Sequence, residues 1–171
     1  MGGSRDSVPR WSRDGRFLYF NSNRSGVQEI WRIPAEGGQP VPITTKGGSA
    51  AAQSADGSRI YYAKPSATGI WSMPLKDGLP AGEETQLPVP LLQQDWGNWA
   101  LGRKGIYFVY RRRGTGDLAI EYLDFSTNST RLIYVMRKPP VWNAPGLALS
   151  PDEQSIAFAQ VERDGISIFA R

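Results

Sequence analysis

An all-β protein made of four propeller blades is what this sequence predicts, and three observations predict it. A turn-and-strand motif recurs along the chain, opening at Trp11, Gln53, Trp99 and Leu149. Each copy reads as short β-branched and aromatic runs bounded by Gly, Asp, Ser and Pro, the signature of strands joined by tight turns. Nowhere does a 3.6-residue hydrophobic period persist for three turns, so helix is scarce. Four antiparallel strands repeated at roughly 40–50 residues describe a β-propeller blade. An immunoglobulin-like sandwich also has short strands but does not predict an internal repeat.

Each copy has the same grammar. In the first, a short strand ends at Trp11 and Ser12-Arg13-Asp14-Gly15 makes the turn, where Asp and Gly tolerate hairpin geometry. FLYF is the second strand, NSNRSGVQ a polar loop, EIWRIP the third strand and QPVPITT the fourth. The second copy runs SADG, IYYA, KPSATG, GIWSMP and ETQLPVP. The third replaces the Asp-Gly turn by Gly102-Arg103-Lys104 and continues GIYFVY, RRRGTGD, LAIEYLD and TRLIYVM. The fourth has LSPDEQ, SIAFAQ, VERDG and GISIFAR, which is its third strand. The resulting domain plan is a linker or expression scar over residues 1–7 and a propeller over 8–171. Its blades are expected at about 8–48, 49–94, 95–140 and 141–171. An unpaired blade edge and two open sheet faces imply a homodimer that completes an eight-bladed ring, since two-fold pairing is the commonest oligomer symmetry.

Composition narrows the chemistry. The 171 residues contain no Cys and no His, which excludes disulfides and Ser-His or Cys-His catalysis within the chain. No metal-ligand spacing appears, and neither metal nor cofactor is expected. Twenty Lys and Arg against sixteen Asp and Glu leave a charge of +4. That excess suits an acidic protein or peptide partner and falls short of a nucleic-acid footprint. The apolar runs are strand-length, so no membrane insertion is expected. The compartment is open between bacterial cytoplasm and periplasm.

Several motifs have a plain structural reading. Asp14, Asp56 and Asp152 share one repeat position and are expected to close turns rather than form a carboxylate ring. Gly114-Thr115-Gly116-Asp117-Leu118-Ala119 mimics a dinucleotide fingerprint, but a strand follows it where that motif needs a helix. Trp31 and Trp71 are expected to fill space between blades. Trp99, at the repeat position of Trp11, is expected to be structural.

The binding candidates come from topology. In a propeller, connections between blades and loops between second and third strands open on one face. That face is expected to collect Arg24, Lys64, Arg111, Arg112, Arg113, Lys138 and Arg163, with acids Asp95, Asp117, Glu162 and Asp164. Trp96, Asn98 and Trp142, in connections near Gly97, Asn143 and Pro145, are expected on the same surface. The site predicted is therefore Arg111, Arg112, Arg113, Trp96, Asn98, Trp142 and Arg24, densest at the arginine triplet.

WSRDGRFLYFNSNRSGVQEIWRIPAEGG resembles the TolB-like (WD40-like) propeller repeat, P-x-W-S-P-D-G-x-x-I-x-F-x-S. WGNWALGRKGIYF and LSPDEQSIAFAQVERDGISIFAR look like the last blades of propellers that follow winged-helix or protein-kinase domains in bacterial signalling proteins. The chain departs from the repeat at Gln53, where Trp is usual, and at Arg13 and Ala55, where Pro is usual. Those turns are expected to be looser. The resemblance implies a non-catalytic binding or sensing module within a larger bacterial signalling or envelope protein. The rival it implies is the gating propeller of a prolyl-oligopeptidase-type hydrolase whose catalytic domain is absent.

Overall fold

The computed structural model describes residues 3–142, 145–162 and 165–170, the side chains of Glu162, Ser167, Phe169 and Ala170 excepted. Strands alternate with turns throughout, as the period-2 patterning requires. The chain divides into two compact units, Met1–Leu87 and Pro88–Arg171, each containing two antiparallel blades.

In the first unit, blade 1 is the sheet β1 (Asp6–Trp11), β2 (Phe17–Ser22), β3 (Glu29–Pro34) and β4 (Val41–Pro42), in that order. β1 begins at Asp6, two residues before the boundary drawn from the repeat. Blade 2 is β5 (Ser49–Gln53), β6 (Arg59–Ala63) and β7 (Ile70–Lys76). Its outer edge is shared: β8 (Leu79–Pro80) pairs with the end of β7 and β9 (Thr85–Leu87) with its start. In the second unit, blade 3 runs β10 (Trp99–Leu101), β11 (Gly105–Arg111), β12 (Leu118–Asp124) and β13 (Ser129–Val135). Blade 4 runs β14 (Leu147–Leu149), β15 (Ile156–Glu162) and β16 (Gly165–Ala170).

Packing within each unit follows one rule. Alternate residues of a strand face opposite sides of its sheet. Tyr19, Ile30 and Ile43 on one side of blade 1 therefore meet Ile60, Tyr62 and Met73 of blade 2 in a single buried core. Val109, Ile120 and Met136 of blade 3 meet Leu147, Ile156 and Phe158 of blade 4 in the same manner. Large side chains buried this fully contribute roughly 1.5–3 kcal/mol each.

The turns explain the recurring aspartates. Ser12 donates its hydroxyl to Asp14 at 2.7 Å, and Asp14 accepts the Arg16 N–H while Ser12 Oγ accepts the Phe17 N–H. Ser54 with Asp56, and Ser150 with Asp152, repeat this pattern bond for bond. The Ser hydroxyl and these N–H donors hold Asp14 below the carboxylate range, Asp56 down at about 2, and Asp152 lowered likewise. The turns without Pro are not looser: they close with the same bonds as the Pro151 turn, because the Ser-Asp pair makes the closure.

Blade 3 corrects one alignment. Trp11 pairs with Leu18, and Leu101 with the equivalent Ile106, so Leu101 rather than Trp99 occupies the Trp11 position. Losing the Asp-Gly turn shortened this hairpin, with Gly102 N–H donating directly to the Gly105 carbonyl at 2.9 Å. Trp99 is consequently buried, whereas Trp11 is 63% exposed.

Candidate functional site

The loop end of the second unit carries most of the sequence candidates. The connection entering blade 3 makes a short 3-10 turn at Gln93–Asp95 and delivers Trp96 and Asn98 just before β10. Asn98 is not on the surface, contrary to expectation: it is buried beside Asp95. Its amide donates to the Asp95 carboxylate at 3.2 Å and to the Val141 carbonyl at 2.9 Å. A second bond, from Gly146 N–H to the Gly97 carbonyl at 3.1 Å, runs in parallel. Asn98 thus clamps the loop entering blade 3 to the loop entering blade 4. Both amide hydrogens of Asn98 are used in this clamp, whereas its Oδ1 is buried without a hydrogen-bond partner among the described residues.

Trp96 and Trp142 are both half-buried on these clamped loops. The Trp96 carbonyl accepts the Trp99 indole N–H at 3.0 Å, which fixes its backbone to the blade. Asp95 is also buried, and the burial pushes its carboxyl up to about 6 against the pull of the Asn98 amide and the Arg111 charge.

The arginine triplet occupies the same end of blade 3, where β11 turns into β12. Arg111 is the last residue of β11 and donates to the Gly116 carbonyl at 2.8 Å, across the turn it encloses. Arg112 is half-buried and lies 3.8 Å from the Glu121 carboxylate. Arg113 is exposed and, among the described residues, has no side-chain hydrogen bond or ion pair. Gly114 and Gly116 have φ values of +91° and +76°, which the tight loop requires and which glycine adopts freely. β12 follows at once, so the dinucleotide-like string is a hairpin loop. Asp117 is exposed in this loop, while Arg163, Asp164 and Asn143 lie outside the described residues, as does the Glu162 side chain.

Two cations of the first unit are corrected. The Arg24 guanidinium stacks over Phe20 and Trp31, 5.2 and 5.0 Å from their ring centroids, and pairs with Asp6 at 2.8 Å. It serves as a cover for apolar rings, because a guanidinium is weakly hydrated and stacks well. Lys64 is buried, bonded to Glu84 and lying 4.9 Å from the Trp71 ring. Sequence reasoning missed Glu84, which also accepts the Tyr62 hydroxyl. It sits in a polar stretch, and only its fold neighbours mark it. Trp71 packs against the first core and Trp31 lies under Arg24.

The first unit also has a cleft of about 480 Å³ at its turn end, lined by Arg13, Arg16, Asp56, Ser58 and Asp77 among others. Arg16 is spent on Asp14 at 2.6 Å. Among the described residues no cluster of three or more acidic side chains is placed to hold a metal ion, and no helix is long and apolar enough to cross a membrane.

No family model matches the sequence. An uncharacterised protein of Agrobacterium fabrum is 44% identical over 43 residues, which cover 25% of this chain and 15% of that protein. Among solved structures, TolB from Acinetobacter baumannii matches with a TM-score of 0.72 at 19% identity, over 95% of this chain and 40% of that one. A TolB-like protein from Agrobacterium tumefaciens matches with a TM-score of 0.69 at 20% identity, over 96% of this chain and 62% of that one. A puromycin-hydrolyzing peptidase of Mycobacterium tuberculosis matches at 0.67 and 17% identity, over 98% of this chain and 28% of that one. The chain therefore spans less than two thirds of each of these proteins. At such identities the likeness speaks to fold, and the fold is that of the TolB β-propeller.

Proposed function

We propose that this propeller module is a non-catalytic recognition domain that binds an acidic protein or peptide segment through the loop end of its second unit. It would serve a larger bacterial signalling or envelope protein. The observation that carries the reading is the combination of exposed Arg111 and Arg113 with half-buried Trp96 and Trp142 on loops locked by Asn98. Rigid aromatic surface supplies contact area at low entropic cost, and exposed arginines supply attraction and orientation. The absence of His and Cys from the sequence agrees with a binding role.

The test is binding of a fluorescent oligo-glutamate peptide by anisotropy across a salt series. Replacing Arg111, Arg112 and Arg113 together by Ala is expected to weaken binding about tenfold at low salt, since each exposed charge contributes up to about 1 kcal/mol, and to flatten the salt dependence. Unchanged affinity with an unchanged salt slope overturns the reading.

The match to the peptidase favours one second reading, a propeller that gates a serine hydrolase. The coding sequence on either side decides between them. A downstream G-x-S-x-G domain carries the hydrolase reading, and an upstream winged-helix or kinase segment carries the sensing one.

A further inference from the structure

Asp95 is the one buried carboxylate of the second unit among the described residues. It accepts a single hydrogen bond, from the Asn98 amide at 3.2 Å, and forms no ion pair there. A carboxylate that has lost its water and gained only a neutral donor holds its proton to a higher pH than an exposed one. The candidate recognition surface is built directly on it. Trp96 follows it in the chain, and its partner Asn98 ties that loop to Val141, next to Trp142.

The groups around Asp95 are unequal in charge. Its own 3-10 turn, Gln93–Asp95, brings no basic residue. From β11 comes Arg111, the one charged group that acts on it among the described residues. Arg112 lies 3.8 Å from Glu121, and Arg113 is exposed. The connection entering blade 4 starts with Arg137 and Lys138, both exposed, and presents the neutral Val141 carbonyl to the shared Asn98 amide. Arg111 itself donates to the Gly116 carbonyl and has no carboxylate bonded to it among the described residues. A buried acid and an exposed arginine therefore attract each other where an acidic segment competes for the same cation.

We propose that Asp95 is a proton switch for this loop end, protonated when an acidic segment is bound and ionised when that segment leaves. The switch rests on the acidic-ligand reading and adds its regulation. Ionised, Asp95 offsets the Arg111 charge and repels incoming carboxylates. Protonated, it leaves Arg111 uncompensated, and the Asn98 amide keeps its acceptor. The coupling is reciprocal: a ligand carboxylate that neutralises Arg111 removes the charge that pulls Asp95 toward ionisation, so binding draws one proton from solvent onto an Asp95 carboxylate oxygen. In the free protein Asp95 titrates at about 6, so binding weakens as the pH rises through that value.

The test is binding of the oligo-glutamate peptide by anisotropy at pH 5.5 and pH 8, on the wild-type chain and on Asp95→Asn. The variant is neutral at both values and keeps an acceptor for Asn98. Wild-type affinity, taken as a ratio to the variant's, is expected to fall on the order of fivefold between the two pH values, the low end of coupling between sites. The ratio cancels titration of the peptide's own glutamates. Calorimetry at pH 6 in two buffers of different ionisation enthalpy needs no variant. It is expected to show proton uptake by the wild type on binding, whereas glutamates meeting arginines release protons. An equal pH dependence of the two proteins, or no net uptake, overturns the switch and leaves the acidic-ligand reading standing. A peptide that neither protein binds at either pH overturns both.

Discussion

Gln53 and Arg13 are joined across two blades: the Gln53 side-chain carbonyl accepts the Arg13 backbone N–H at 2.8 Å, while its amide donates to the Gly57 carbonyl at 3.1 Å. Where the repeat otherwise has Trp, this side chain ties the turn of one blade to the turn of the next. In the second unit Glu153 makes the corresponding tie, accepting the Arg103 N–H at 3.0 Å. Gln53→Ala should therefore cost about 1 kcal/mol and lower the Tm by about 2–4 °C, whereas Gln53→Glu keeps an acceptor and should lose less. Thermal unfolding of the two variants checks this, and equal losses would contradict it.

Lys64 and Glu84 form an ion pair with side-chain exposures of only 8% and 19%. Burial alone would push Glu84 up, but the Lys64 ammonium and Tyr62 hydroxyl outweigh it and hold the carboxyl below its usual range. Its contribution to stability is therefore present above the unfolded carboxylate range and is lost as the pH falls through the lowered folded value. Lys64→Met strands a buried carboxylate and should cost about 3–5 kcal/mol at pH 7. The deficit should shrink at pH 4, and Lys64→Met/Glu84→Gln should cost less than the single change. Urea unfolding at the two pH values measures both effects.

Asp95 has the opposite sign. Its folded value of about 6 lies above that of the unfolded chain, so its contribution is fully present below the unfolded value and is lost as the pH rises through 6. Asp95→Asn keeps an acceptor for the Asn98 amide and removes the buried charge. The variant should be more stable than the parent by about 1–2 kcal/mol at pH 8 and should show no such advantage at pH 4. Equal stability of the two proteins at pH 8 would refute the assignment.

Gly105 opens β11 where a side chain has no room: a Cβ there would lie 2.1 Å from the Leu123 carbonyl oxygen and 2.5 Å from the Tyr122 ring. Gly105→Ala should cost roughly 2 kcal/mol or more through displaced backbone. At Gly102 the nearest atom to a Cβ is the Glu153 carboxylate at 3.1 Å, the end of a side chain that can swing aside. Gly102→Ala should be the milder change, and chemical denaturation of both ranks them.

What the sequence determined by itself was local and periodic. The Ser-x-Asp turns, the aromatic second strands and the four-fold repeat are set by neighbours within a few residues, and each was legible as a string. The aspartates read as turn residues because each precedes Gly or Glu in a tight turn, and the structure adds the serine hydroxyl two positions earlier that donates to Asp14, Asp56 and Asp152. The arginine loop was legible for the same reason. Only tertiary structure decided which polar residues are buried. Asn98 reads as a loop amide until Val141, far along the chain, presents the carbonyl it clamps. Lys64 reads as a charge on the loop face until neighbouring segments bury it against Glu84, a carboxylate that also accepts the Tyr62 hydroxyl. Leu101 rather than Trp99 takes the Trp11 position because a shortened turn shifts the register, and register depends on the pairing of two strands. Burial and register belong to contacts between segments, so they follow from the fold and not from any stretch of sequence taken alone.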